Sequence, residues 1–135
     1  MAMTHEAVYP QTPQNKTAII VNADGTGKKE VFTAGANGAK ISCIAVTSDD
    51  TADRTLVVYV YDGATDGLIG EVLIPDGSGT NGTDKAVSLL NATSLPFLPA
   101  DLTLPLKAGA ILKVAAKVAV TSAKTIYVTA FYGDY

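Results

Sequence analysis

Gly77-Ser78-Gly79-Thr80-Asn81-Gly82 spells G-x-G-x-x-G, the pattern of a loop that cradles a pyrophosphate. It follows the apolar run 72–74 and precedes Asp101 at about the distance of a ribose-binding acid. The chemistry also needs a helix whose N-terminus receives the phosphate, and here Pro75 and Asp76 open the loop and only the short run 84–90 could supply one. The match therefore reads as a flexible loop, with no cofactor expected. Asp49, Asp50 and Asp53 offer a second kind of chemistry, because clustered carboxylates can ligate a hard cation such as calcium. Their spacing fits no EF-hand pattern, so they stand as a weak metal candidate beside the plainer reading of a solvated turn.

Nucleophilic catalysis has little to draw on. His5 is the sole histidine and lies near the start of the chain, away from any expected core. Acids abound for a paired-carboxylate hydrolase, but three Phe, six Tyr and no Trp suggest no aromatic-rich cleft. The residues point away from an enzyme. Three sequons, at Asn15, Asn81 and Asn91, reflect a chain rich in Asn and Thr, since the N-terminus reads as no signal peptide. Cys43 stands alone in an apolar run, where a buried, inert thiol is expected.

These residues must be held by a scaffold whose class the composition restricts. A chain of 135 residues suits one domain, and 47% hydrophobic against 17% charged residues is the balance of a chain that folds. A net charge of -3 argues against nucleic acid as a partner, and no apolar stretch approaches the roughly 20 residues that span a bilayer. The charge is segregated: eight acidic side chains stand between Asp49 and Asp84 against Arg54 alone, whereas from Leu102 to Gly133 the charges are Lys107, Lys113, Lys117 and Lys124. Mixed solvated patches explain this, and so does complementary association between copies.

Residues 1–16, with Pro10 and Pro13 and no hydrophobic period, read as an extended arm, and 17–135 as a single domain. Asp-Gly pairs at 24, 62, 66 and 76 mark sharp reversals between short runs rich in Val, Ile, Thr and Tyr, the signature of antiparallel β structure. Strands are expected at 17–22, 29–33, 39–47, 54–61 and 68–74, weaker ones at 86–90 and 102–106, and strong ones at 111–120 and 124–132. The 111–120 run has alanines and a Lys113, Lys117 pair that would suit a helix. Period two nevertheless sorts it, with Leu112, Val114, Ala116, Val118 and Val120 inward. Residues 54–61 are apolar on both faces, so this strand belongs in the middle of a sandwich or at a subunit contact, and the last strand is expected to be well covered too. Pro96, Pro99 and Pro105 make the preceding stretch a long edge-running connection. The sum is an all-β antiparallel sandwich, with jelly-roll (Greek-key) topology preferred and an immunoglobulin-like one second.

The extended arm, the compact runs KISCIAVTS and RTLVVYVYDG, then LTLPLKAGAILKV and a final strand ending YVTAFYGDY together resemble the small virion structural proteins of tailed bacteriophages, particularly capsid decoration or cement proteins with jelly-roll cores. The resemblance is one of organisation over about residues 17–135. It implies a homo-oligomer, often a trimer, made in the host cytoplasm and bound to the major capsid protein on the assembled head, where it clamps subunits together. Val8, Tyr9 and Pro10 would then be partner-contact anchors in the arm, as apolar and aromatic groups usually are. The alternative is a carbohydrate- or receptor-binding sandwich of a phage tail or fibre, for which exposed Tyr59, Tyr61 or Tyr127 would speak.

Overall fold

The computed structural model describes residues 11–135. Nine strands run in chain order: β1 (Thr12–Val21), β2 (Lys29–Thr33), β3 (Ala39–Ser48), β4 (Arg54–Tyr61), β5 (Asp66–Ile74), β6 (Val87–Ser88), β7 (Leu104–Leu106), β8 (Ile111–Ala116) and β9 (Thr125–Asp134). They form two antiparallel sheets. Sheet A has the order β1-β9-β3-β6, with β7 also on β3, and sheet B the order β2-β8-β4-β5. The chain crosses between the sheets from β1 to β2 to β3 to β4, returns from β5 to β6, and crosses again on each side of β8. The last strand thus enters between the first and the third.

Alternation explains the core. On β9, Ile126, Val128 and Ala130 are fully buried, and on β3, Ile44 and Val46 join them; across the sandwich stand Leu56, Val58, Val72, Ile74, Leu112 and Val114. Each such side chain contributes about 1.5–3 kcal/mol through removal from water. Between the sheets Phe32 stacks on Tyr132, with ring centroids 3.8 Å apart. The proline-rich connection between β6 and β7 closes one flank. Its Leu95 is fully buried, and a Cβ placed on Gly70 of β5 would collide with the Leu95 side chain, so glycine is needed there to let the connection lie down on sheet B.

Most strand ends shift from the sequence expectation by a few residues, and three departures matter for the surface. β1 begins at Thr12, so residues 12–16, assigned to the arm, are the exposed first half of a strand laddered on β9. Backbone pairing needs no apolar period, which is why the pattern was silent there. β8 ends at Ala116; Val118, expected inward, is 59% exposed, while Val120 is buried from the following loop. Cys43, expected buried, is exposed, because a bulge between Ile41 and Cys43 shifts the register of β3 on β9 and turns the thiol outward.

Candidate interaction surface

The two sheets treat their outer faces differently. On sheet B the exposed side of β4 is crossed by ion pairs between its neighbours. Lys117, just past β8, meets Glu71 of β5 at 2.9 Å, and Lys113 of β8 meets Asp66 of β5 at 3.0 Å. Lys28 also reaches Asp66 at 3.0 Å. The same lysines lie on aromatic faces, Lys28 over the Tyr59 ring at 4.4 Å and Lys113 over Tyr61 at 4.6 Å. Hydrogen bonds from Lys28 and Lys113 hold the Asp66 carboxyl below the usual carboxylate range. Beneath these straps Val57 and Ala115 are buried although they point outward. The charge segregation seen along the chain is therefore resolved within it, lysines of β8 against acids of β5.

Sheet A has no such cover. The register of β1, β9 and β3 sets outward side chains in rows: Asn15, Phe131 and Cys43; Thr17, Thr129 and Ala45; Ile19, Tyr127 and Thr47. The Thr17 and Thr129 hydroxyls lie 3.0 Å apart, in hydrogen-bond contact across the strands. None of these rows carries a charge. Ile19 is 45%, Tyr127 44% and Phe131 42% exposed, so the final strand, expected to be covered on both faces, is covered on one. Two shallow hollows are lined in part by residues of these strands. One of about 240 Å³ is lined by Cys43, Ile44, Ala45, Ala86, Val87 and Ser88. The other, about 190 Å³, forms where Gly133 has no side chain, beside Pro13, Ser42 and Tyr132. Apolar knobs, hollows and hydroxyls at this spacing suit contact with a protein surface by shape and burial, with the hydroxyls supplying hydrogen bonds.

The acidic residues singled out from the sequence hold the chain's crossings together. Asp50 is 1% exposed. Its carboxylate accepts Arg54 Nε at 2.8 Å, the Thr121 N–H at 3.0 Å, the Thr121 hydroxyl at 2.7 Å and the Ala52 N–H at 3.1 Å. Burial alone would raise its pKa, yet Arg54 and Thr121 hold it well below the usual range. Asp49 accepts the Thr125 N–H, and Asp53 accepts the Asp76 N–H. The three carboxylates thus turn to different partners, and among the described residues no group of three or more His, Cys, Asp or Glu converges. The glycine-rich loop, expected to be flexible, is folded on its own bonds. Gly77, Gly79 and Gly82 take positive φ, Asn81 accepts the Thr83 and Asp84 N–H groups, and Thr80 donates to Ser48 O. Val8, Tyr9 and Pro10 lie outside the described residues. Of the tyrosines proposed for a glycan, Tyr59 and Tyr61 are half-buried under lysines and Tyr127 is exposed.

No protein-family model and no curated protein sequence matches the chain. Among solved structures, a chain of the acid-stable capsid of Helicobacter pylori bacteriophage KHP30 superposes with a TM-score of 0.61 at 9% identity, over 93% of this chain and 90% of that one. A chain of the cyanophage Pam1 capsid asymmetric unit aligns at a TM-score of 0.48 and 15% identity, over 100% and 94%. At these identities the likeness is one of architecture, and the chain shares the two-sheet β fold of the KHP30 capsid chain across nearly its whole length.

Proposed function

We propose that the protein is a structural component of a phage virion, a decoration or cement protein that binds the major capsid protein on the outer surface of the assembled head and stabilises contacts between capsid subunits. The observation that carries this reading is the likeness to the KHP30 capsid chain, which extends over nearly all of both chains. The order β1-β9-β3-β6 against β2-β8-β4-β5 supports the jelly-roll winding expected of such proteins. A braced sandwich with one uncharged, knobbed face has the rigidity and the exposed apolar surface that a clamp between subunits requires.

Co-sedimentation of the purified protein with heads lacking it is the test. Saturable binding that raises the temperature at which the heads release their contents is the expected result. Heads that neither bind nor gain resistance overturn the proposal, and glycan binding through exposed Tyr127 would then favour the tail or fibre module. Deleting residues 1–10, which include Val8, Tyr9 and Pro10, leaves β1 whole and is expected to weaken head binding while the melting temperature holds.

A further inference from the structure

We propose that Asn81 is a self-modifying site, at which the Gly82 nitrogen closes on the Asn81 carboxamide and water then leaves an aspartyl or isoaspartyl residue in its place. The chain has two Asn-Gly pairs, Asn37-Gly38 and Asn81-Gly82, and in both the glycine brings no side chain to hinder attack on the carboxamide. The fold treats the pairs oppositely, and the difference begins at the attacking nitrogen. Gly38 is buried, its N–H donates to Gly35 O at 3.1 Å, and its carbonyl accepts the Tyr135 N–H at 3.2 Å. It is also wedged, since a Cβ there would meet Leu106 O at 2.7 Å. The Gly38 peptide cannot swing towards Asn37 without breaking these bonds. Gly82 is exposed, has nothing within 4 Å of where a Cβ would stand, and its N–H meets no acceptor among the described residues. That nitrogen is free to approach.

The Asn81 carboxamide is set for the attack. Its Oδ1 accepts the Thr83 N–H at 2.9 Å and the Asp84 N–H at 2.8 Å, which folds the group forward over the Gly82 peptide. Paired N–H donors on a carbonyl oxygen draw electron density from the carbon and stabilise the oxyanion that forms when nitrogen adds. In the reaction Gly82 N bonds to Asn81 Cγ, the Cγ–Nδ2 bond breaks, and Nδ2 leaves as ammonia with the proton that Gly82 N gives up. Water then opens the cyclic imide. Addition at Cγ breaks the new bond and gives aspartate, whereas addition at the Asn81 main-chain carbonyl breaks its bond to Gly82 N and gives isoaspartate. Ammonia is lost, so the change runs one way and accumulates with time. Either product sets a carboxylate against Asp84, where Nδ2 had donated to Oδ2 at 2.9 Å. The repulsion falls beside Thr80, whose hydroxyl ties the loop to Ser48 O at the end of β3.

The full chain is incubated folded in mildly alkaline buffer and, in parallel, unfolded in concentrated urea. Acidic forms are resolved by ion exchange over time, and the converted residue is located by peptide mapping and by isoaspartyl methyltransferase labelling. Both pairs should convert at similar rates in urea. In the folded chain Asn81 should convert about tenfold faster than Asn37, the order of factor that freeing the Gly38 N–H from its hydrogen bond commands. Gly82→Ala should slow the appearance of the acidic form, and Asn81→Gln, which needs a larger ring, should abolish it, with circular dichroism unchanged in both. A folded chain that converts first at Asn37, that converts equally at both pairs, or that stays intact at Asn81 while the unfolded chain converts overturns the proposal.

Discussion

The two outer faces of the sandwich start from similar sequence and reach opposite ends. β4 and β9 are both central strands with apolar or aromatic residues on both sides, yet Val57 on β4 is buried under straps of lysine and carboxylate while Tyr127 and Phe131 on β9 stand in solvent. The difference lies in the neighbours. β8 and β5 flank β4 with long charged side chains of opposite sign, whose stems cover apolar surface and whose heads pair. β1 and β3 flank β9 with Asn, Thr, Ala, Cys and Ile, which are too short to cover it. A strand that is apolar on both faces is thus completed within the chain in one sheet and left for something else in the other.

The heaviest blow to both faces at once falls where the crossings are tied. Asp50→Ala removes the carboxylate that binds Arg54 and Thr121 between the β3–β4 and β8–β9 connections, and should lower unfolding free energy by about 3–5 kcal/mol in urea titrations. The pH dependence has a definite sign. Because the folded carboxyl is held below its unfolded range, its contribution is fully present above about pH 5. It falls as acid protonates the unfolded state first. The stability gap between the native chain and Asp50→Asn should therefore narrow as pH drops from about 5 to 3. Next in size, Gly70→Ala forces Leu95 out of its seat and should cost about 1–3 kcal/mol, loosening the flank without touching either outer face. Smaller still is the strap itself: a double-mutant cycle on Lys117 and Glu71 should yield a coupling of about 0.2–1 kcal/mol that shrinks in high salt. Smallest is Tyr127→Ser, which should change folding stability by less than about 0.5 kcal/mol. A large loss there would mean that the face is part of the fold rather than a surface held for contact.

Much of the sandwich was legible because period two is a direct imprint of burial on one side of a strand. Residues 29–33 and 54–61 were placed as they stand, since Val31, Phe32 and Leu56 face the core between clear turn signals. The first half of β1 was not, because its side chains are exposed on both sides and its place is set by backbone bonds to a strand more than a hundred residues away. Cys43 misled for a related reason: one bulged residue reverses the alternation, and no local pattern announces it. The candidate surface was half legible. Thr125, Tyr127, Thr129 and Phe131 sort onto one face by sequence, but whether a face is covered depends on which strands flank it, and that is a matter of topology. The separation of acids from lysines along the chain was visible at once, whereas its resolution across β4 needed the strand order.

The position of β9 has a consequence in time. It is an interior strand of sheet A and follows both of its neighbours in the sequence, so during synthesis β1 and β3 have no common partner until residues 125–134 emerge. Pairing β9 with β1 closes a loop of more than a hundred residues, the kind of non-local contact that slows folding. Until that insertion the nascent chain presents two unpaired apolar edges, the state in which aggregation competes best with folding, and a chain truncated before β9 would have no sheet A to complete.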